Sequence, residues 1–236
     1  MRQIFLDTET TGFNANLAQN PDRMVEIGCV EMVNRKLTGN NLHIYVNPER
    51  DSDEGALRVH GLTTEFLSDK PKFATIARQL LDFVADAEII IHNAPFDISF
   101  LDAELARAGH QPFRKYVASV TDTLVLAKEM FPGKRNSLDA LCDRLEVDNS
   151  GRTLHGALLD AELLADVYIN MTRGQDALLM DVDAPSEGGV KAAKIDLRGW
   201  VLPVLAANAQ ELASHEEILA QIDKSSGGKT VWRKAA

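Results

Sequence analysis

The chain has 236 residues, of which 45% are hydrophobic, so it can bury a core of about 180 residues and still carry an appendage. Its net charge of −10 argues against non-specific coating of duplex nucleic acid, which requires a broad basic face. No stretch approaches the ~20 apolar residues of a membrane span or has the form of a signal peptide, and Cys29 and Cys142 lie in apolar surroundings typical of reduced thiols in a cytosolic protein.

The first part of the chain predicts three antiparallel strands. RQIFLD (residues 2–7) indicates an apolar strand, and MVEIGCVEMVN (residues 24–34) indicates an alternating one. A turn is expected at residues 38–41, TGNN, and returns the chain into a third strand. Residues 49–63 predict an irregular acidic segment.

Strands and helices alternate after this segment. Together with the three antiparallel strands, that alternation predicts a mixed α/β sheet with helices on both faces. The expected elements are a helix over 71–87, a buried strand over 88–93, a helix over 94–109, a strand edge and helix over 118–133, a short helix after the N-cap Ser137, and a long helix ending at Gly174.

The C-terminal part has a different composition. From residue 181 the periodicity is lost and Pro, Gly and Ser accumulate, which is typical of a linker. Residues 185–236 hold 7 Lys and Arg against 6 Asp and Glu, with one or two short apolar helices. We therefore expect a core domain over 1–180, a linker over 181–199 and a flexible helical tail over 200–236.

Acidic side chains stand at the ends of three predicted elements. Asp7 and Glu9 share one face of the first strand. Asp97 lies in the first turn of the helix after the buried strand, and Asp160 lies in the opening turns of the last core helix. His155 is five residues before Asp160, about 140° around a helix, so we expect it at the frayed helix start, leaning over the same site.

Four carboxylates, one histidine and no nearby cysteine are the ligand set of hard divalent ions, Mg²⁺ or Mn²⁺ rather than Zn²⁺. Two such ions ~4 Å apart would activate a water and stabilise the leaving oxygen of a phosphodiester, with His155 accepting the proton. Each group also has a structural alternative, as a solvated loop entry, a carboxylate that offsets a helix dipole, or a capping histidine. Their occurrence together, in this order, favours the metal site.

Three sequence blocks carry these groups: FLDTETTG, IIHNAPFD and HGALLDAELLADVY. They resemble the three motifs of the DEDDh family of 3′→5′ exonucleases, which implies a ribonuclease-H-like fold with a mixed five-stranded sheet. Further blocks, among them MFPGKRNSLDALC and GKTVWR, resemble the proofreading subunits of bacterial replicative DNA polymerases. This resemblance covers nearly the whole chain and is weakest across residues 176–210.

The resemblance implies a role for each matched residue. Asp7 would bind both metal ions, Glu9 and Asp160 the ion on the nucleophile side, while Asp97 would support the other ion and His155 would be the general base. The implied pocket for the terminal nucleotide comprises Thr8, Ala56, Val59, His60 and Phe96. Gly55 stands where the family pattern has an acidic residue, so a sugar contact at that position is left open.

The resemblance also implies partners: a single-stranded or frayed 3′ end of DNA, the polymerase catalytic (alpha) subunit, a sliding clamp and a small theta-like subunit, in the bacterial cytoplasm. QDALLM resembles a clamp-binding peptide, with Gln175, Leu178 and Met180 as contacts, or is an exposed helix end. The tail would bind the polymerase or a second copy of this chain. Its expected contact residues are Trp200, Leu219, Ile222 and Trp232.

Two other functions fit parts of the pattern. A stand-alone exoribonuclease, RNase T-like or oligoribonuclease-like, would share the three motifs but has little use for about 50 residues beyond the core. A non-catalytic interaction module on the same fold would not need all five site residues, and all five are intact.

Overall fold

The computed structural model describes residues 1–16, 19–151, 154–173 and 207–227. In these residues five strands form one sheet in the order β3-β2-β1-β4-β5. The β1–β2 and β2–β3 pairs are antiparallel, and the β1–β4 and β4–β5 pairs are parallel, which confirms the predicted mixed sheet. The strands are β1 (Arg2–Thr10), β2 (Met24–Val33), β3 (Lys36–Tyr45), β4 (Glu88–Ile91) and β5 (Ser119–Asp122).

The turn between β2 and β3 lies elsewhere than the sequence predicts. It is formed by Asn34 and Arg35, which both have positive φ, 49° and 62°, as a two-residue hairpin turn of right-handed twist requires. The predicted turn at residues 38–41 is wrong. These residues belong to β3, and Gly39, with φ 78°, lies where the β2–β3 register shifts in a bulge.

Helices cover both faces of the sheet. The segment expected to be irregular over residues 49–63 contains one short helix, α1 (Glu54–His60), and a second short helix, α2 (Thr64–Leu67), follows it. The remaining core helices agree with the prediction, although the predicted helix end at Gly174 lies outside the described residues. The helices are α1 (Glu54–His60), α2 (Thr64–Leu67), α3 (Phe73–Val84), α4 (Ala94–Arg107), α5 (Thr123–Met130), α6 (Leu138–Leu145) and α7 (Ala157–Thr172) in the first unit, and α8 (Ala209–Ser226) in the second.

Alternation along β1 divides the core into two layers. Ile4 and Leu6 are buried against α3 and α4, whereas Phe5 is buried on the opposite face against α7. Asp7 and Glu9 continue the Phe5 face, and Thr8 continues the face of Leu6. The end of β1 can therefore receive one carboxylate from a helix on each face.

The second unit, Asp183–Ala236, contains α8 among its described residues. Asn208 and Glu211 close the start of α8 with a capping box, and Gly227 ends it with φ 64°. Leu219 is buried and Ile222 is 41% exposed. Gln175, Leu178, Met180, Trp200 and Trp232 lie outside the described residues, as does the predicted linker. No helix in the described parts of the chain is long and apolar enough to cross a membrane.

Candidate active site

The last residues of β1 bring two carboxylates to the edge of the sheet. Asp7 is paired with Gly28 of β2, and Glu9 is paired with Glu26. Both acidic side chains are half-buried and point to the face that carries α7. The predicted placement of Asp7 and Glu9 on one face of a strand is confirmed.

Asp97 reaches the site from α4, on the opposite face. The helix starts after Asn93, which takes a left-handed conformation (φ 68°) and donates its backbone N–H to Asp122 Oδ1 at 3.1 Å. Thr8 Oγ1 donates to Asp97 Oδ1 at 2.8 Å, which joins α4 to β1. Asp97 is 3% exposed, and this burial raises its pKa to about 7, opposed by the Thr8 hydrogen bond.

Asp160 reaches the site from the first turn of α7, on the other face. A Cβ on Gly28 would lie 2.2 Å from the carbonyl carbon of Ala157, so only the absence of a side chain lets α7 begin directly against β2. Since Gly28 is the partner of Asp7, the start of α7 comes down beside that carboxylate. Asp160 is buried there.

His155 precedes α7, as the sequence predicts. Its Nδ1 lies 3.2 Å from Asp160 Oδ2, and its side chain is 45% exposed. One ligand atom each from Glu9, His155 and Asp160 lie within 4.8 Å of one another. Glu9 of β1, His155 before α7 and Asp160 in the first turn of α7 therefore lie close together.

These groups line one cavity, which we call the acidic cavity. Its lining residues are Asp7, Thr8, Glu9, His92, Phe96, Asp97, Leu138, His155 and Asp160. Among the described residues, this lining includes no lysine or arginine side chain that would balance the four carboxylates. Several oxygen ligands in such proximity, two of them buried, fit a divalent cation because its charge offsets their mutual repulsion.

His92 also lines the acidic cavity. Its Nδ1 lies 2.9 Å from Thr123 Oγ1, and burial lowers its pKa. The Thr123 hydroxyl, at the start of α5, therefore holds the His92 ring in the wall of the acidic cavity.

A second cavity, which we call the apolar pocket, adjoins the first. All five residues predicted for the terminal nucleotide lie in it, and it shares Thr8, Glu9 and Phe96 with the acidic cavity. Its lining residues are Thr8, Glu9, Thr10, Gly12, Phe13, Ala56, Val59, His60 and Phe96. Phe13 was missed by the sequence analysis, although an apolar ring directly after a Gly-ended turn is a signal that could have found it.

The helix α1 supplies one wall of the apolar pocket. Buried His60 accepts the Leu62 backbone N–H at Nδ1, 2.9 Å away, so in the neutral ring Nε2 carries the proton. Burial lowers the His60 pKa, which favours that neutral form. Gly55 also lies in α1, but a Cβ there would meet no atom within 4 Å, so this position faces open space.

Residues 4–168 match the family model described as Exonuclease. The chain is therefore a member of an exonuclease family, and its fold agrees. It superposes on exonuclease X in complex with 5′ overhanging duplex DNA with a TM-score of 0.59 at 24% identity, covering 74% of this chain and 93% of that one.

Full-length relatives define the family further. The chain is 51% identical to DNA polymerase III subunit epsilon of Pasteurella multocida, covering 99% of this chain and 94% of that protein. It is 48% identical to the protein of the same name from Escherichia coli strain K12, with 98% and 97% covered. The chain belongs to the family of DNA polymerase III epsilon subunits.

Proposed function

We propose that this protein removes mispaired nucleotides from the 3′ end of DNA, as the proofreading exonuclease subunit of a bacterial replicative DNA polymerase. The observation that carries this proposal is the junction of the two cavities. A 3′-terminal nucleotide seated in the apolar pocket would present its phosphate at Thr8, Glu9 and Phe96, which line the acidic cavity as well.

We propose that Asp7, Glu9, Asp97 and Asp160 hold two divalent ions, Mg²⁺ or Mn²⁺. The donor set consists of carboxylate oxygens, which these ions prefer. Bound ions supply a lowered pKa of the attacking water and neutralisation of charge on the phosphodiester oxygens. The protein's own contribution is to keep these oxygens close together, through the Thr8–Asp97 hydrogen bond on one face and the Gly28–α7 contact on the other.

His155 is the proposed general base. Its Nδ1 faces Asp160 Oδ2, which favours the tautomer with the proton on Nδ1 and makes Nε2 the accepting nitrogen. Its half-exposed position lets a proton taken from the attacking water pass to solvent.

The apolar pocket favours unpaired ends over a particular base. Its wall of Ala56, Val59, Phe13 and Phe96 offers contact surface rather than base-edge hydrogen bonds. Entry requires that the terminal nucleotide leave the duplex, and a mismatch lowers this cost by about a few kcal/mol. Selectivity for mispaired ends follows from fraying.

The names of the full-length relatives favour this function over that of a stand-alone RNA trimmer. The proposed partners are the polymerase catalytic (alpha) subunit, with a theta-like subunit and the sliding clamp as further candidates, in the bacterial cytoplasm. The proposed division is an exonuclease domain over 1–180, a linker over 181–199 and a polymerase-binding segment over 200–236.

Four substrates test the proposal with one preparation: 5′-labelled single-stranded DNA, a primer with a paired 3′ end, the same primer with a mispaired 3′ end, and single-stranded RNA, each with Mg²⁺ or EDTA. We expect Mg²⁺-dependent loss of 3′ nucleotides, faster from mispaired than from paired primers. Equal rates on paired and mispaired ends would contradict proofreading, and a strong preference for RNA would favour the trimmer. A chain truncated at residue 184 should keep single-strand activity and lose co-elution with the catalytic subunit.

A further inference from the structure

The segment that carries His155 is attached to the helix that lines the apolar pocket. The backbone N–H of His155 donates to the carbonyl oxygen of Val59 at 3.0 Å. Val59 belongs to the last turn of α1, where carbonyl groups have no partner within the helix. The backbone of the proposed general base, His155, therefore provides the hydrogen-bond partner of a carbonyl group at the end of α1.

A side-chain contact reinforces this hydrogen bond. A Cβ on Gly61 would lie 2.7 Å from Cδ1 of Leu154, so Leu154 packs directly over the α-carbon of Gly61. Gly61 is the C-cap of α1, with φ 71°, where a residue with a side chain is strained. Two consecutive residues, Leu154 and His155, are thus seated on the end of α1. We call this pair of contacts the α1 strut.

The same turn of α1 faces the substrate side. Val59 and His60 line the apolar pocket with their side chains, while the Val59 carbonyl and Gly61 hold the segment before α7. A nucleotide that contacts Val59 and His60 in the pocket therefore contacts the turn of α1 that holds the backbone of His155.

We propose that the α1 strut positions His155 and couples its placement to the presence of a terminal nucleotide in the apolar pocket. This inference rests on the proposed nuclease function. Leu154 and Gly61 are positioning residues: they line neither the acidic cavity nor the apolar pocket, and they act through His155. A nucleotide against Val59 and His60 favours the ordered end of α1, and thereby the conformation in which His155 stands over Asp160.

The first test uses Leu154→Ala, with Leu154→Met as the conservative variant and Leu37→Ala as the control. Leu37 has similar exposure, 46% against 50% for Leu154, and lies on edge strand β3. On single-stranded DNA we expect Leu154→Ala to lower kcat about ten-fold with KM changed less than about two-fold, because a misplaced base affects the transition state. Leu154→Met should restore most of kcat, and Leu37→Ala should match wild type.

The second test combines the two sides of the contact. Gly61→Ala should lower kcat because its methyl group collides with Leu154 Cδ1. In the double variant that combines Gly61→Ala with Leu154→Ala, the collision is relieved. Its fold-loss of kcat should therefore be smaller than the product of the two single fold-losses. Losses that multiply would show that the two residues act separately, which would overturn the strut.

Amide hydrogen exchange gives a readout that does not depend on turnover. The His155 amide should exchange faster in Leu154→Ala than in wild type, and dTMP with Mg²⁺ should slow it in wild type more than in the variant. An unchanged exchange rate in Leu154→Ala, or an unchanged kcat, would overturn the proposal, and a raised KM with unchanged kcat would make Leu154 a substrate contact instead. If wild type degrades no nucleic acid, the proposed function fails, whereas the exchange comparison without dTMP still decides whether the strut exists.

Discussion

The two cavities at the end of β1 differ in chemistry although they share Thr8, Glu9 and Phe96. The acidic cavity is assembled from the ends of elements on both faces of the sheet, and its lining carries four carboxylates and two histidines. The apolar pocket is formed by the end of β1 and the loop after it, by the short helix α1, and by Phe96 of α4.

This difference in chemistry predicts different kinetic roles for the two cavities. Groups in the acidic cavity contribute where charge develops during hydrolysis, so their loss should lower kcat. In the proposed function, pocket side chains that only contact the nucleotide, such as Phe13, would bind it equally before and during reaction, so their loss should raise KM. Single substitutions in each of the two cavities can test this difference between kcat and KM effects.

The largest effect is expected for Asp160→Ala. Loss of this proposed metal ligand should lower the hydrolysis rate about 10³-fold or more, since a metal site supplies several kcal/mol of transition-state stabilisation. The fold should survive without metal, because removing one carboxylate reduces repulsion. Rate on single-stranded DNA and thermal melting in EDTA would measure both.

The control for Asp160→Ala is Asp166→Ala, which removes an exposed carboxylate from the same helix. It should keep wild-type activity. Activity of Asp160→Ala within about ten-fold of this control would remove Asp160 from the proposed ligand set.

His155→Ala should have the next largest effect. Loss of a general base lowers kcat by about 10²-fold or more, whereas the carboxylate oxygens of the site stay in place. Mn²⁺ titration by calorimetry should therefore give an affinity close to that of wild type. His215→Ala, an exposed histidine of α8, serves as the control. If His155→Ala digests single-stranded DNA at the wild-type rate, another group accepts the proton.

Gly28→Ala should impair the acidic cavity by displacing α7, without removing any of its charged groups. Its methyl group would lie 2.2 Å from Ala157, so α7 must shift and carry Asp160 away from Asp7. We expect about a ten-fold loss of kcat and a destabilisation of about 1–3 kcal/mol, measured by denaturant unfolding. Gly55→Ala, with open space around its Cβ, should be neutral or slightly stabilising. Unchanged kcat in Gly28→Ala would mean that the start of α7 tolerates displacement.

The residue pattern alone predicts the acidic cavity, whereas the pocket residues were expected only from the family resemblance, and the reason is physical. The alternation in β1 puts Asp7 and Glu9 on one face, and Pro95 marks the start of the helix that carries Asp97. Such local rules fix each group relative to its own element. The order of elements then brings the groups together at one edge of the sheet.

Features that depend on distant contacts were not predictable in this way. The seven residues of α1 are too few to show an apolar period, and its three pocket residues owe their place to packing. A glycine within a strand, such as Gly28, indicates either a bulge or a close approach, and only its contact with Ala157 decides. The hairpin turn at Asn34 and Arg35 lacks the glycine that usually marks such turns. The turn was therefore predicted around Gly39, the nearest glycine that follows in the sequence.

Phe13→Ala should have the smallest effect on kcat and tests the apolar side of the comparison. Phe13 lines the pocket with 80% of its surface exposed, so its removal leaves the fold unchanged. Base–aromatic stacking contributes about 1–3 kcal/mol, which corresponds to a KM raised about five-fold or more on single-stranded DNA. We expect kcat to stay within about two-fold of wild type, since no group of the acidic cavity moves. Phe66→Ala, an exposed phenylalanine of α2 that does not line either cavity, is the matched control. A fall in kcat equal to the rise in KM would show that Phe13 also orients the scissile phosphate, and the two cavities would then act as one site.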